Sequence, residues 1–359
     1  MARPPAQFEL FKLYKGKVEI KYFPKSHAYK IYDAENGRNW EKSPSVTGLT
    51  GNMDKGAGLM MYAMSEAMKY MDRQFINTSL KKAIEDPNFS MKELFKSARG
   101  AHISKSDLGK RVGTSSHDYV EQTLKNLIKA QKAGTQFIVP EPPKAMDLRA
   151  DLGESWANIL ELYVDRFDKI ENVDKFRDII SKDIEMRGLV WQETQMVEKA
   201  TTAARDFFVS AVKQGAIKVW DVERLVHSRK YFYSGRFDSV LEFVKPFTWR
   251  GYTIPIGIYI TDFKTSNAAV DYPMGIFPNY LPQLGLYDVA YCEEFPAMRD
   301  RIKGHLILGS SKHGDGFHPY VSLDRERNRE WGELLAPLHE FIYAGEKELK
   351  HLDLYGGKK

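Results

Sequence analysis

The chain has 359 residues, 43% of them hydrophobic and 28% charged, with a formal net charge of +5; this balance fits an ordinary globular protein and excludes disordered and membrane-embedded chains. No stretch reaches the roughly 20 apolar residues of a membrane helix, and the opening MARPPAQFELFKLYKGK lacks the apolar run of a secretory leader, so a cytoplasmic, intracellular protein is expected. Cys292 is the single cysteine, which excludes an intrachain disulfide, a zinc knuckle and a four-cysteine iron–sulfur cluster, while the excess of Lys and Arg leaves room for a basic groove that attracts polyanions.

At about 150 residues per domain the length holds two domains or one large domain with insertions. Residues 17–42 predict short strands, KVEIKYF and AYKIYD, followed by ENGRNW with an Asn36-Gly37 turn suited to a hairpin. SPSVTGLTGNMDKGAGLMMYAMSEAMKYM then opens on Ser and Thr capping residues and passes into a Met- and Ala-rich helical pattern of core-filling character. From about 90 to 213 the pattern is helical, broken at KAGTQFIVPEPPKAMD, whose prolines require a loop.

Past Gly215 the texture changes to strands: IKVWDVERLVHS, KYFYSGRFDSVLEFV and TIPIGIYITDFKTS. A helix, NYLPQLGLYDVAYCEEF, follows, then strands IKGHLILG and HPYVSL, and a charged amphipathic helix over 325–351. The expected fold is α/β (α+β), a mixed central β-sheet flanked by helices with an N-terminal helical cover. The expected organisation is strands and helices packed on the core in 1–100, a helical arch in 101–215, the core in 216–325 and a C-terminal helix in 326–359.

The chemistry centres on ITDFKTS. Asp262 and Lys264 stand two apart in an apolar strand, so both point to one face, where two unmatched charges would be costly. The preceding hairpin strand, YFYSGRFDSVLEF, also interrupts an aromatic and β-branched run with one acid, Asp238. Carboxylates converging from neighbouring strands form an oxygen-rich site for a hard divalent cation, with Mg²⁺ or Mn²⁺ the natural occupant. A lysine beside such a cation can orient water and balance charge on phosphorus, which points to phosphodiester hydrolysis.

GRFDSVLEF followed by DFK, with Asp238 and Asp262 24 residues apart, resembles the PD-(D/E)XK nuclease superfamily, with Phe237 standing where the name has proline. VGTSSHDYVEQTL resembles the Gly-x-x-x-His motif of the RecB-type exonuclease branch, through Gly113 and His117. WDVERLVHS resembles that branch's glutamate-bearing strand, through Glu223, and YLPQLGLYDVAY its Gln-x-x-x-Tyr helix, through Gln283 and Tyr287. SPSVTGLTGNMDK is similar to the segment before the core in phage exonucleases and in the mitochondrial genome maintenance exonuclease, with Tyr62 where a tryptophan is usual.

This resemblance implies a Mg²⁺- or Mn²⁺-dependent DNA exonuclease without an iron–sulfur cluster, acting on single-stranded or free ends in replication, recombination or repair, alongside proteins of those processes. Asp238, Asp262, His117 and the Phe263 carbonyl would hold the metal, Lys264 would act on the attacking water, Glu223 would hold a water or second cation, and Gln283 and Tyr287 would fix Lys264 and the scissile phosphate. A structure-selective endonuclease of the same fold and a catalytically inactive DNA-binding protein are the alternatives. The basic stretch SKSDLGKRVG, with Lys105, Lys110 and Arg111, is expected along the phosphate backbone, together with Ser116, Arg236, Thr265 and Ser266 beside the motifs. SSKHGDGFHPY, with His313 and His318, reads as a surface hairpin turn whose Lys312 at most touches a phosphate.

Overall fold

The computed structural model describes residues 7–51, 91–145, 173–265, 279–312 and 316–351, with the side chains of 91–106, 173–190 and 343–351 left aside. Within these residues the fold is mixed α and β, built on two larger sheets and a small hairpin. The Met-rich segment near 58–71 lies outside the described residues.

The N-terminal sheet is a four-stranded antiparallel meander of β1 (Glu9–Leu13), β2 (Val18–Phe23), β3 (Ala28–Asp33) and β4 (Arg38–Ser43). Period-two alternation sends Val18, Ile20, Tyr22, Tyr29 and Ile31 to one face, where they pack on Leu225. β2 and β3 follow the expected segments; β1 and β4 are additional, and part of the segment expected as turn is strand β4. The turn itself survives at Asn36-Gly37, where Gly37 takes φ 68° and the Asp33 side chain accepts from the Asn36 N–H.

The central sheet runs in the order β11-β10-β9-β6-β5. β5 (Ile217–Ser228), β6 (Tyr233–Phe243) and β9 (Gly257–Thr265) are antiparallel neighbours. Helix α4 (Tyr280–Glu294) then carries the chain across, so that β10 (Ile302–Ser310) runs parallel to β9 and β11 (Phe317–Ser322) closes the edge antiparallel; a parallel pair requires such a crossover. The expected strand TIPIGIYITDFKTS is two strands: β8 (Tyr252–Ile254) pairs with β7 (Phe247–Trp249), and β9 begins after Pro255, which has no N–H to give a ladder.

Each face of the central sheet is covered. α2 (Met91–Ala133) and α3 (Val173–Lys213) bring Tyr119, Leu124, Phe207 and Phe208 against Leu241, Phe243, Tyr259 and Phe263. On the opposite face α1 (Val46–Thr50), α4 and α5 (Arg325–His351) bring Val46, Leu284, Leu286 and Leu335 against Val240, Ile258, Ile260 and Ile307. Ser45 caps α1 by accepting from the Gly48 N–H at 2.9 Å. Full burial of each such side chain is worth about 1.5–3 kcal/mol, and Phe207→Ala would cost about 3–5 kcal/mol through the cavity it leaves.

α4 and α5 touch through their backbones. A Cβ on Gly285 would lie 1.9 Å from the Asn328 carbonyl oxygen, and one on Gly332 2.8 Å from the Leu286 nitrogen. Only glycine at both positions allows this approach. No helix among the described residues is long and apolar enough to cross a membrane.

Candidate functional site

The β6–β9 ladder runs from Phe243↔Gly257 to Ser239↔Thr261 and ends there. The next residue on each strand is an acid, Asp238 and Asp262. In place of another backbone bond, the Phe263 N–H donates to Asp238 Oδ2 at 2.5 Å. On the other side of β6, the pairs Val222↔Ser239 and Arg224↔Phe237 bracket Glu223 and set it across from Asp238. Three neighbouring strands thus contribute one carboxylate each to a single row.

Lys264 lies on the same strand as Asp262, and its ammonium contacts Asp262 Oδ2 while sitting 4.9 Å above the Tyr280 ring. That Asp262 oxygen is buried, and the ammonium beside it is its ion-pair partner. His117 enters from α2: its ring packs edge-on against Phe263 at 4.8 Å, and its Nδ1 stands 3.7 Å from Asp238 Oδ2, too far for a hydrogen bond. From α4, Gln283 Nε2 donates to the Tyr287 hydroxyl at 3.2 Å, one turn apart on one face. Gly235 admits the Tyr287 ring to β6, since a Cβ there would lie 2.6 Å from Tyr287 Cε1.

The electrostatics are strained. Burial pushes the Asp238 carboxyl up; His117 opposes this and Asp262 adds to it. Its side chain still keeps 18% exposure, so the site opens to solvent on that side. Glu223 is pushed up to about 8, by burial and then by Asp238, against the pull of Arg236, whose Nε lies 2.8 Å from Glu223 Oε2. Burial works to lower the Lys264 pKa, but Asp262 and Asp238 outweigh it and raise it. Glu223 also holds φ 51°, a left-handed conformation that costs a non-glycine residue about 1–3 kcal/mol.

Among the described residues no three His, Cys, Asp or Glu side chains converge into a ready-made cation cage. The donor chemistry nevertheless fits a hard divalent cation. Two ligands of one Mg²⁺, each at about 2.1 Å, lie about 3 Å apart, and His117 Nδ1 and Asp238 Oδ2 stand at 3.7 Å. Crowded acids, with Asp238 and Glu223 pushed up by burial, are the groups a cation would settle.

The remaining expected site residues are placed less centrally. Lys110 pairs with Asp107 at 3.1 Å and Arg111 with Glu193 of α3 at 2.7 Å. Ser116 is buried and its hydroxyl donates to the Val112 carbonyl, which turns it into its own helix. Arg236 is held by Glu223, and its guanidinium lies 5.3 Å over the Tyr22 ring. Thr265 ends β9 with its Oγ1 buried and, among the described residues, without a hydrogen-bond partner. Lys105 belongs to α2, with its side chain outside the described residues, as are Ser266 and His313. Tyr280 was not among the expected residues; its position one turn before Gln283 on α4 was the available signal.

No protein-family model matches the chain, and no curated protein matches it. Among solved structures, the crystal structure of SSO0001 is similar at 14% identity, over 45% of this chain and 70% of that one, with a TM-score of 0.19. A likeness at that score carries no argument about fold or function.

Proposed function

We propose that the chain is a divalent-metal-dependent deoxyribonuclease, an exonuclease acting on DNA ends, and that residues 216–325, from β5 through α4 to β11, are a PD-(D/E)XK nuclease core. The observation that carries this reading is the meeting of Asp238, Asp262, Lys264 and His117 where the β6–β9 ladder stops. The order of the elements supports it as well: three antiparallel strands, a helix, and a strand returning parallel to the acid-bearing β9.

Asp238, Asp262, His117 and the Phe263 carbonyl would hold Mg²⁺ or Mn²⁺. Such a cation supplies Lewis-acid polarisation of the phosphate and a lowered water pKa. Lys264, kept charged by its two acids, orients the attacking water and balances charge developing on the phosphate oxygens. Tyr280 limits where the ammonium can go. Gln283 and Tyr287, bonded to each other on one face of α4, would help fix Lys264 and the scissile phosphate, and Glu223 would hold a water or a second cation.

The test is digestion of labelled linear and circular DNA, single- and double-stranded, in Mg²⁺ and in EDTA. Digestion of linear DNA that stops in EDTA and spares circles is expected. Cutting of circles would replace the exonuclease with an endonuclease, and binding without cleavage in any divalent metal would leave only a DNA-binding scaffold. The partners expected in replication or recombination belong to the same proposal and depend on its outcome.

A further inference from the structure

The N-terminal sheet turns its inner face toward the acidic row, through Tyr22 and Arg236, and its outer face to solvent. Its register pairs Lys21 with Lys30 and Lys30 with Lys42, so three ammonium groups form one row across β2, β3 and β4. Like charges directly opposite one another destabilise a sheet. No carboxylate among the described residues lies within ion-pair distance of any of the three; the one acid on this face, Glu19, is taken by Lys12 at 3.4 Å.

Aromatic rings flank the lysine row. Tyr32 and Trp40 stand 5.6 Å apart, and the Lys21 ammonium sits 3.6 Å above Trp40 and 5.2 Å from Phe8. Phe8 is 48% exposed and Leu10 51%. Trp40 reaches this face through a β-bulge: Ile31 pairs with Glu41 and Tyr32 with Asn39, leaving Trp40 as the extra residue with φ 54°. A bulky residue with positive φ is an outlier that folds do not adopt without compensation, and a bulge serves to re-aim a side chain. One strained residue and a row of like charges thus share one solvent-facing surface.

We infer that this face is a docking platform for single-stranded nucleic acid, with two or three unpaired bases stacked on Tyr32, Trp40 and Phe8 and the phosphates on Lys21, Lys30 and Lys42. Interleaved rings and cations on a four-stranded sheet have the chemistry that takes bases by their faces and a backbone by its charge. A duplex offers no free base face and fits poorly. The inference deepens the nuclease reading, resting on it only for nucleic acid as the ligand class. The inner face of the same sheet fastens the platform beside the site through Tyr22, Arg236 and Glu223.

The experiment uses the full chain carrying Lys264→Ala, so that DNA survives, and a fluorescein-labelled 15-nucleotide oligothymidylate read by anisotropy. Adding Tyr32→Ala and Trp40→Ala should weaken binding about thirty-fold or more, with Trp40→Phe restoring most of its share. Adding instead Lys21→Gln, Lys30→Gln and Lys42→Gln should reduce the log–log salt slope by about 2, at roughly 0.7 per phosphate contact. Unchanged affinity and slope in both sets overturn the platform, as does equal competition by duplex DNA or polyglutamate. If the unsubstituted chain cleaves while the platform substitutions leave oligothymidylate binding by the Lys264→Ala chain unchanged, only the platform fails. If nothing is cleaved in any divalent metal but binding still depends on Trp40 and Tyr32, only the nuclease reading fails.

Discussion

Two acids enclosed by the same sheet and helices behave in opposite ways. Asp288 of α4 is fully buried and accepts from Arg325 Nε at 2.6 Å and Nη2 at 2.9 Å, from His305 Nε2 at 3.2 Å and from Cys292 Sγ at 3.1 Å. Burial alone would raise its pKa, but Arg325 and His305 hold it well below the usual carboxylate range. His305 is fixed in turn, its Nδ1 facing Asn328 Nδ2 at 3.0 Å. Asp238 has one short backbone donor, a histidine beyond hydrogen-bond reach and a second acid as neighbour, and its pKa rises. A closed polar network fastens α5 to the sheet; the one around Asp238 is less complete and keeps partial exposure.

The widest separation of the two clusters comes from removing one cation from each. Lys264→Ala should cut DNA hydrolysis on the order of 10³–10⁴-fold, about 4–5.5 kcal/mol of barrier, while oligothymidylate affinity stays within a few-fold. Near-normal cutting by this variant would remove Lys264 from the chemistry. Arg325→Ala should instead leave Asp288 charged, buried and unpaired, and lower unfolding stability by about 3–5 kcal/mol in a urea titration. Asp238→Asn, in contrast, should leave the urea midpoint unchanged or higher, because it removes a charge that the fold holds poorly. A large loss for Asp238→Asn would show that both clusters are scaffold.

Metal addition sharpens the same contrast. A cation that binds only the folded chain at 100 times its Kd adds about 2.7 kcal/mol of stability, so Mg²⁺ should raise the thermal midpoint by several degrees and EDTA should reverse it. Asp262→Ala should abolish both the shift and the calorimetric heat of Mg²⁺ binding. Arg325→Ala, although less stable, should keep the full shift. A response that persists in Asp262→Ala would put the ion elsewhere.

What could be read ahead of the structure follows interaction range. The helix over 325–351 and the strand IKVWDVERLVHS match α5 and β5, because a charged 3.6-residue period and a β-branched run are local signals. The carboxylate of Asp262 and the ammonium of Lys264 meet as the two-residue strand period requires. The Asp288 cluster was not legible: it joins residues 17 and 37 positions apart, and Asp288 by itself reads as an ordinary polar helix residue. Arg111 shows the same limit in reverse, since a basic run suggested a backbone contact while its guanidinium is taken by Glu193, 82 positions away. Trp40 sat in a segment that read as turn because a bulge depends on the partner strand's register.

The last contrast is in pH dependence, and it falls on Glu223. Its folded pKa of about 8 lies above the ordinary glutamate value near 4.3, so the folded chain keeps a proton that the unfolded chain releases. Stability contributed by Glu223 is therefore full below about pH 4.3 and declines as pH rises toward 8, after which it is lost. Glu223→Gln should remove that decline: relative to the unsubstituted chain, it should gain on the order of 1 kcal/mol per pH unit between pH 5 and pH 8 in paired urea titrations. Mg²⁺ should shrink the gain by giving the neighbouring Asp238 charge a partner. If the two chains instead track each other across this range, Arg236 settles Glu223 as completely as Arg325 settles Asp288, and the strained row of acids narrows to Asp238 and Asp262.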